Sequence, residues 1–351
     1  MKLTLTTVHP APYFDRLFEY FNTKGITTEA WYLTKSTKEK EWKTYLPIDV
    51  HLYSEASTSE MYRRFSKSDF VIFHWGNKRN FVIAFLLRLR GKKFAFYLDH
   101  PDPLSSKTKG IAKVGKKLLM NLATYMFPAC YSCGNYLMET YGLNKNKIRV
   151  FPYSHSECPN GIEKINCERE RSLKSNESPI KILIASRFIE RKGYSIVCDA
   201  FQLLANKNIL KEFEIHVVGS GELYNEYKTR LLDIDQSIRF YGWLENNEYE
   251  KMLNETDVYL HPSLFEPFGI PPLDAMERGK FIIVSDAVKS TDIFEDCEGI
   301  KLYPANDAQS LARCLENVAM TKEQLYQKTK GNINLCQRFY SMEVNLKALT
   351  D

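Results

Sequence analysis

The chain has 351 residues, 44% hydrophobic and 26% charged, which suits a globular protein with two full apolar cores. Its longest apolar run, 81–87, is far too short to span a bilayer, and the opening "MKLTLTTVHP" reads as an alternating strand, not a secretory signal. The 8 cysteines show no disulfide-framework spacing, which fits a reducing cytoplasm, and the net charge of +5 is uneven: residues 1–155 carry 24 Lys+Arg against 12 Asp+Glu, residues 156–351 carry 24 against 31.

In chain order, apolar β-rich runs predict strands at 3–8, 70–73, 94–98, 130–132 and 149–151, with helices at 13–22, 80–90 and 111–125. The stretch 156–179, "SECPNGIEKINCERERSLKSNESP", is polar and charged and reads as an interdomain linker. Beyond it the alternation resumes, with strands at 181–185, 214–218, 238–241, 258–261 and 281–285 and helices at 194–205, 221–232, 247–254 and 271–278. Such alternation predicts an α/β chain with two doubly wound parallel sheets: a domain over 1–157, a linker over 158–179, a second domain over 180–333, and a C-terminal helix within 334–351 packing back on the first. In open parallel sheets ligands bind beyond the carboxyl ends of the strands, and two such sheets facing each other would enclose a cleft.

Several residues with chemistry to offer follow predicted strands. After 181–185 comes "SRFIERKGYSI", where Arg187, Arg191 and Lys192 lead into a helix and Gly193 lets the backbone come close. This is either a diphosphate cradle or a solvated basic turn. After 214–218 comes "GSGE"; Gly219 and Gly221 permit close backbone contact, although the third glycine of a dinucleotide fingerprint is absent. In "FYGWLENNEYEKML", Trp243 or Leu244 either packs on the face of a base or belongs to the core. In "SLFEPFGIPPLDAMERG", strand 258–261 delivers Glu266 to the crevice, Pro271 and Pro272 suit a first helical turn, and Gly279 ends the helix. Backbone N–H groups around Phe268, Gly269 and Ile270 would aim at a ligand, and Glu266 and Asp274 could each accept from hydroxyls of a nucleotide sugar. Asp274 is explained equally by a helix cap.

Taken together, "ASRFIERKGYSIVCDAF", "VVGSGE", "YGWLENNEYEKMLNETDVYLHPS" and "EPFGIPPLDAM", in this order over 181–288, resemble the retaining glycosyltransferases of family 4, which have the GT-B fold. The last stretch resembles the family's two acids separated by seven residues, with aspartate at 274 where glutamate is usual, shorter by roughly 1.5 Å of reach. The resemblance implies that Glu266 contacts the donor sugar, Asp274 the ribose, and Arg187 and Lys192 the donor diphosphate. In the first half it is thinner. "HPAPYFDRLFEYF" is similar to the Pro-x-Pro-Tyr opening of some members, which puts Tyr13 on the acceptor side, and "DHPDP" places His100 where the family often has a histidine near the donor sugar. His74, after "FVIF", is a weaker case of the same kind.

The expected activity is transfer of a hexose-type sugar from a UDP- or GDP-sugar to a glycan or lipid-linked acceptor. Rival readings are a GT-B-fold UDP-sugar epimerase and a nucleotide-sugar-binding protein without turnover. No metal is expected, because "DID" at 233–235 reads as a surface turn and Cys130/Cys133 has no second pair for zinc. Lys107, Lys109, Lys113, Lys116 and Lys117 precede or punctuate apolar residues, so this stretch is either an anionic-membrane contact or an ordinary covering helix.

Overall fold

Twelve strands form two six-stranded, wholly parallel sheets in the computed structural model, which describes residues 1–34, 49–100, 109–176, 178–294 and 297–351. The first sheet orders its strands β3-β2-β1-β4-β5-β6 and the second β12-β11-β10-β7-β8-β9. The chain divides into two units, Met1–Ser154 with Tyr340–Asp351, and His155–Phe339.

In the first unit the elements run β1 (Lys2–Thr7), α1 (Pro12–Thr23), β2 (Thr27–Tyr32), β3 (Asp49–Leu52), α2 (Thr58–Phe65), β4 (Phe70–His74), α3 (Lys78–Leu89), β5 (Phe94–Leu98), α4 (Gly110–Leu122), β6 (Tyr125–Pro128) and α5 (Tyr131–Tyr141). β4 and β5 are buried along nearly their whole length, which is why they read as unbroken apolar runs. Asn77 starts α3 by accepting from the N–H of Arg79 at 2.8 Å.

The second unit runs α6 (Ile162–Lys174), β7 (Ile180–Ala185), α7 (Tyr194–Asn206), β8 (Phe213–Val218), α8 (Tyr224–Ile234), β9 (Arg239–Gly242), α9 (Asn246–Glu255), β10 (Val258–His261), α10 (Ile270–Met276), β11 (Phe281–Ser285), β12 (Ile300–Tyr303), α11 (Ala308–Met320), α12 (Leu325–Lys328) and α13 (Asn332–Tyr340). Its core joins Ile182 and Ile184 of β7, Ile215 and Val217 of β8, Val197 and Phe201 of α7, and Leu311 and Leu315 of α11. The last helix, α14 (Met342–Thr350), is counted with the first unit, where Asn345 donates to the Pro152 carbonyl at 2.9 Å and Arg149 to that of Ala348 at 2.9 Å.

Both sheets share one order. The strand that opens each unit's sheet lies beside its fourth, β1 beside β4 and β7 beside β10, and the winding reverses there. At such a switch point the outgoing loops part and leave room for a ligand.

Three expectations are corrected. The span 158–179 is not a bare linker: most of it is α6, with Ile162 and Leu173 buried inside the second unit. Residues 130–132 open α5 instead of forming a strand, and 149–151 is extended, bonding to β6 through the N–H of Arg149 and Phe151 without becoming a seventh strand. Strands β2, β3, β6 and β12 were not foreseen, and the helix expected over 111–125 ends at Leu122.

Candidate functional site

In the second unit the loops leaving β7 and β10 meet at the switch point. The Leu264 N–H donates to the Arg191 carbonyl at 2.8 Å and ties the loops backbone to backbone. Gly193, with φ of +71°, makes this approach possible: a Cβ there would sit 2.0 Å from the Pro262 carbonyl oxygen. The result brings Lys192 onto Glu266, 74 residues later, in a direct ion pair, with the Arg191 guanidinium 3.9 Å from the same carboxylate oxygen. His261, the buried last residue of β10, lies 3.8 Å from that oxygen.

Burial pushes the Glu266 carboxyl up, but the His261 and Lys192 side chains outweigh it and hold it at about 2. Burial draws the Lys192 ammonium down, offset in part by Glu266; Arg191 and Arg187 add to the lowering. The side chains of Arg187 and Arg191 are exposed while Lys192 is buried, so positive charge extends from the buried pair to the surface. Such a group can hold an anion at its arginine side and accept a hydrogen bond from a hydroxyl at its carboxylate.

The other second-unit residues singled out from the sequence lie differently. Gly219 and Gly221 are needed by the chain's own packing: a Cβ on them would sit 1.9 Å from the Ser186 carbonyl oxygen and 2.5 Å from that of Phe188. The Gly219 N–H is taken by the Gly242 carbonyl at 2.7 Å. Gly269 caps α10 at φ of +100°, with Pro271 in its first turn. Phe268 is buried, Ile270 is half-buried, and the Phe268 and Gly269 carbonyls accept from Ser290 at 3.0 and 2.8 Å. Asp274 does not join Glu266 on a shared partner. Its Oδ1 accepts from the N–H and hydroxyl of Ser156 at 2.5 and 2.7 Å, and Arg278, itself 1% exposed, donates to that same hydroxyl. Trp243 is exposed and no core residue. Leu244 lines a cavity of about 440 Å³ under α9, with Glu214, His216 and Arg239, apart from Lys192 and Glu266. The "DID" stretch is not a free turn: Asp233 and Ile234 lie in the last turn of α8, and Asp235 caps it while accepting from the Ser237 N–H at 2.8 Å.

In the first unit, His74 ends β4 with its buried Nδ1 unpartnered. Burial pulls its imidazole down, against Asp99, while His9 beyond β1 adds to the lowering. His100 packs against the Tyr136 ring at 5.4 Å between centroids. Tyr13 packs edge-on against Tyr153 at 4.8 Å, and burial, helped by Asp99, raises its hydroxyl. His9, Asp99 and His261 had been assigned no role from the sequence. Their signal was position alone, at or just past the end of a strand. Lys109 and Lys117 are exposed and Lys113 and Lys116 half-buried on α4; Lys107 lies outside the described residues. Among the described residues no helix is long and apolar enough to cross a membrane.

A doubly wound sheet takes its ligands at the switch point, and here that point is rich in cations. Residues 167–333 match the model of the family Glycosyl transferases group 1. Among curated proteins the chain is similar to the amylovoran biosynthesis glycosyltransferase AmsK of Erwinia amylovora, 28% identical over 175 residues, 45% of this chain and 42% of that protein. It is also similar to the phosphatidyl-myo-inositol mannosyltransferase of Mycolicibacterium smegmatis, 29% identical over 136 residues, 38% of this chain and 34% of that protein. The matched part spans less than half the length of these relatives. Among solved structures, Anabaena HepE in complex with UDP and glucose superposes with a TM-score of 0.71 at 14% identity, over 99% of this chain and 98% of that one. The sucrose-phosphate synthase of Thermosynechococcus elongatus gives 0.72 at 14%, over 99% and 97%. These likenesses carry the fold, two Rossmann-like α/β domains of GT-B type. The family match lies within the second unit, His155–Phe339.

Proposed function

We propose that the chain is a retaining glycosyltransferase of family 4. It would move a hexose-type sugar from a UDP- or GDP-sugar to a glycan or lipid-linked acceptor in cell-surface polysaccharide or glycoconjugate synthesis, without a catalytic metal. The observation that carries the reading is the convergence of Lys192 and Glu266 at the switch point of a unit matched by the glycosyl transferases group 1 model.

Transfer breaks the anomeric C–O bond, so negative charge grows on the departing diphosphate. Lys192 and Arg187 supply fixed positive charge for it, the kind of preorganised stabilisation worth about 3 kcal/mol per donor. Glu266, held as a carboxylate, accepts a donor-sugar hydroxyl and fixes the ring. In this reading the acceptor attacks on the leaving-group face, so configuration is retained and no protein nucleophile is needed. Tyr13, His74 and His100 serve the acceptor side. Asp274 reaches the ribose only if Ser156 gives way or a water bridges the gap.

A membrane surface fits the first unit. Val82, Phe85 and Leu89 of α3 and Ile111, Val114 and Leu118 of α4 are exposed apolar residues on two helices packed together, among Arg88, Arg90, Lys109 and Lys117. The enzyme would then sit on the inner leaflet, where lipid-linked acceptors are presented.

A thermal-shift screen over nucleotides and sugar nucleotides, followed by turnover with the donor it selects, tests the function. One donor should raise the melting midpoint, and Glu266→Gln should lower transfer a hundredfold or more while circular dichroism stays native. Unchanged turnover in the variant, or no affinity for any sugar nucleotide, overturns the reading. Conversion of donor without acceptor would establish the epimerase instead.

A further inference from the structure

Within the second unit, His155, Glu277 and Cys336 come from three places: the segment entering the unit, the end of α10, and α13. One ligating atom of each lies within 4.8 Å of the other two, and the residues are only 7%, 4% and 0% exposed. We propose that this cluster binds a zinc-type divalent cation that braces α10, separate from the donor site.

His155 and Glu277 each have one polar atom already held, which leaves the other to join the Cys336 sulfur in the cluster. The His155 Nδ1 lies 3.0 Å from the Ser156 carbonyl, so Nδ1 carries the proton and Nε2 keeps its lone pair, facing the Cys336 sulfur at 3.5 Å. Glu277 Oε1 accepts from Gln337 Nε2 at 2.8 Å, whereas Oε2 is buried and has no hydrogen-bond partner. A buried carboxylate oxygen with no N–H or O–H donor costs free energy that a cation would recover. The Cys336 thiol also faces the Glu277 carboxylate as a weak donor, and its sulfur has a weak contact with the Leu273 carbonyl at 3.6 Å.

The imidazole–sulfur spacing of 3.5 Å suits zinc. With zinc–nitrogen bonds of about 2.0 Å and zinc–sulfur bonds of about 2.3 Å in tetrahedral geometry, nitrogen and sulfur stand about 3.5 Å apart. The donor set of imidazole, thiolate and carboxylate favours zinc over magnesium or calcium, which prefer all-oxygen sites. Binding expels the thiol proton, so thiolate and carboxylate together cancel the ion's two charges. Water completes the fourth position, or Cys158, three residues after His155 and half-buried. Because Ser156, next to His155, holds Asp274 one turn before Glu277, the ion would fix the base of α10 to the segment that positions Asp274.

The test uses the full chain, stripped of metal by chelation and titrated with cobalt(II) and then zinc(II) alone. Expected are one equivalent bound, a thiolate-to-cobalt charge-transfer band that zinc abolishes, and a higher melting midpoint with zinc. Cys336→Ser should remove the band, whereas Cys314→Ser, outside the cluster, should keep it. Gln337→Ala changes an exposed residue and tests the Glu277 brace without risk to the core; affinity should fall about tenfold. A wild-type chain with no charge-transfer band, or a band that survives in Cys336→Ser, overturns the proposal. A loss of sugar transfer in Glu266→Gln would leave it untouched, since none of these readouts passes through the donor site.

Discussion

Burial favours the protonated form of Glu266, and His261 and Lys192 outweigh it to keep the carboxylate. With a folded-state value of about 2 against 4.5 when unfolded, the group adds stability that is complete above the unfolded value and is lost as pH falls toward 2. The full amount is about 3 kcal/mol, of which about 1 kcal/mol disappears between pH 5.5 and 3.5. Glu266→Gln should therefore be less stable at pH 5.5 and should lose less between those values, as read by urea unfolding of both proteins. Parallel pH dependences would show that the ion pair with Lys192 contributes nothing to folding. Lys192 and Glu266 were legible because each follows a strand in a stretch that resembles a known family. His9, Asp99 and His261 carry no such mark: a single histidine or aspartate has no spacing, and only the sheet order reveals which strand ends adjoin. The partner of Asp274 was equally hidden, since Ser156 lies 118 residues away. The His155, Glu277 and Cys336 cluster escaped a search for paired cysteines for the same reason.

Helix α6 shows why composition misleads at the scale of an element. Its sequence, "IEKINCERERSLK", is polar enough to look like a tether, yet Ile162 and Leu173 are buried and one of its charges, Arg169, reaches into the unit. Asp257, 1% exposed, accepts from Arg169 Nε and Nη2 at 3.1 and 2.5 Å, from the Lys181 N–H at 2.8 Å and from the Tyr326 hydroxyl at 2.7 Å. One carboxylate thus ties α6, β7 and α12 together. Removing the cation leaves a buried anion undercompensated, which costs about 3–5 kcal/mol. Arg169→Ala should lower the urea midpoint of the second unit accordingly, while Lys174→Ala, which breaks only a surface pair with Glu170, should change it by less than about 0.5 kcal/mol. Equal effects of the two changes would return α6 to the status of a tether. The unforeseen strands have similar causes. β2, "TTEAWY", buries Glu29 under Trp31 and Arg64, and β12 is a four-residue edge strand with exposed Lys301, so neither shows an unbroken apolar run. Strands buried on both faces, β5, β10 and β11, were legible to the residue.

Across the whole chain, one sheet order occurs twice while the charge does not repeat. Residues 1–155 carry twice as many cations as anions, and the excess includes α3, α4 and their flanks. A basic surface alone would serve solubility, but the exposed apolar stripes on these two helices would not, since apolar side chains in water are a cost unless something covers them. An anionic bilayer satisfies both features: its phosphates meet the cations and its acyl boundary takes up Phe85, Leu89, Ile111 and Leu118. Each lysine near such a surface adds about 1 kcal/mol, so four carry most of a moderate affinity. In flotation with phosphatidylserine-containing vesicles at low salt, the wild-type chain should rise with the lipid and be released at high salt. Replacing Lys109, Lys113, Lys116 and Lys117 together by Gln should leave it at the bottom. Phe85→Ser with Leu118→Ser should weaken binding at every salt concentration, because it removes the part that salt does not screen. A wild-type chain that stays at the bottom at low salt would mean that these stripes meet something other than lipid, and the proposed inner-leaflet location would fall with them.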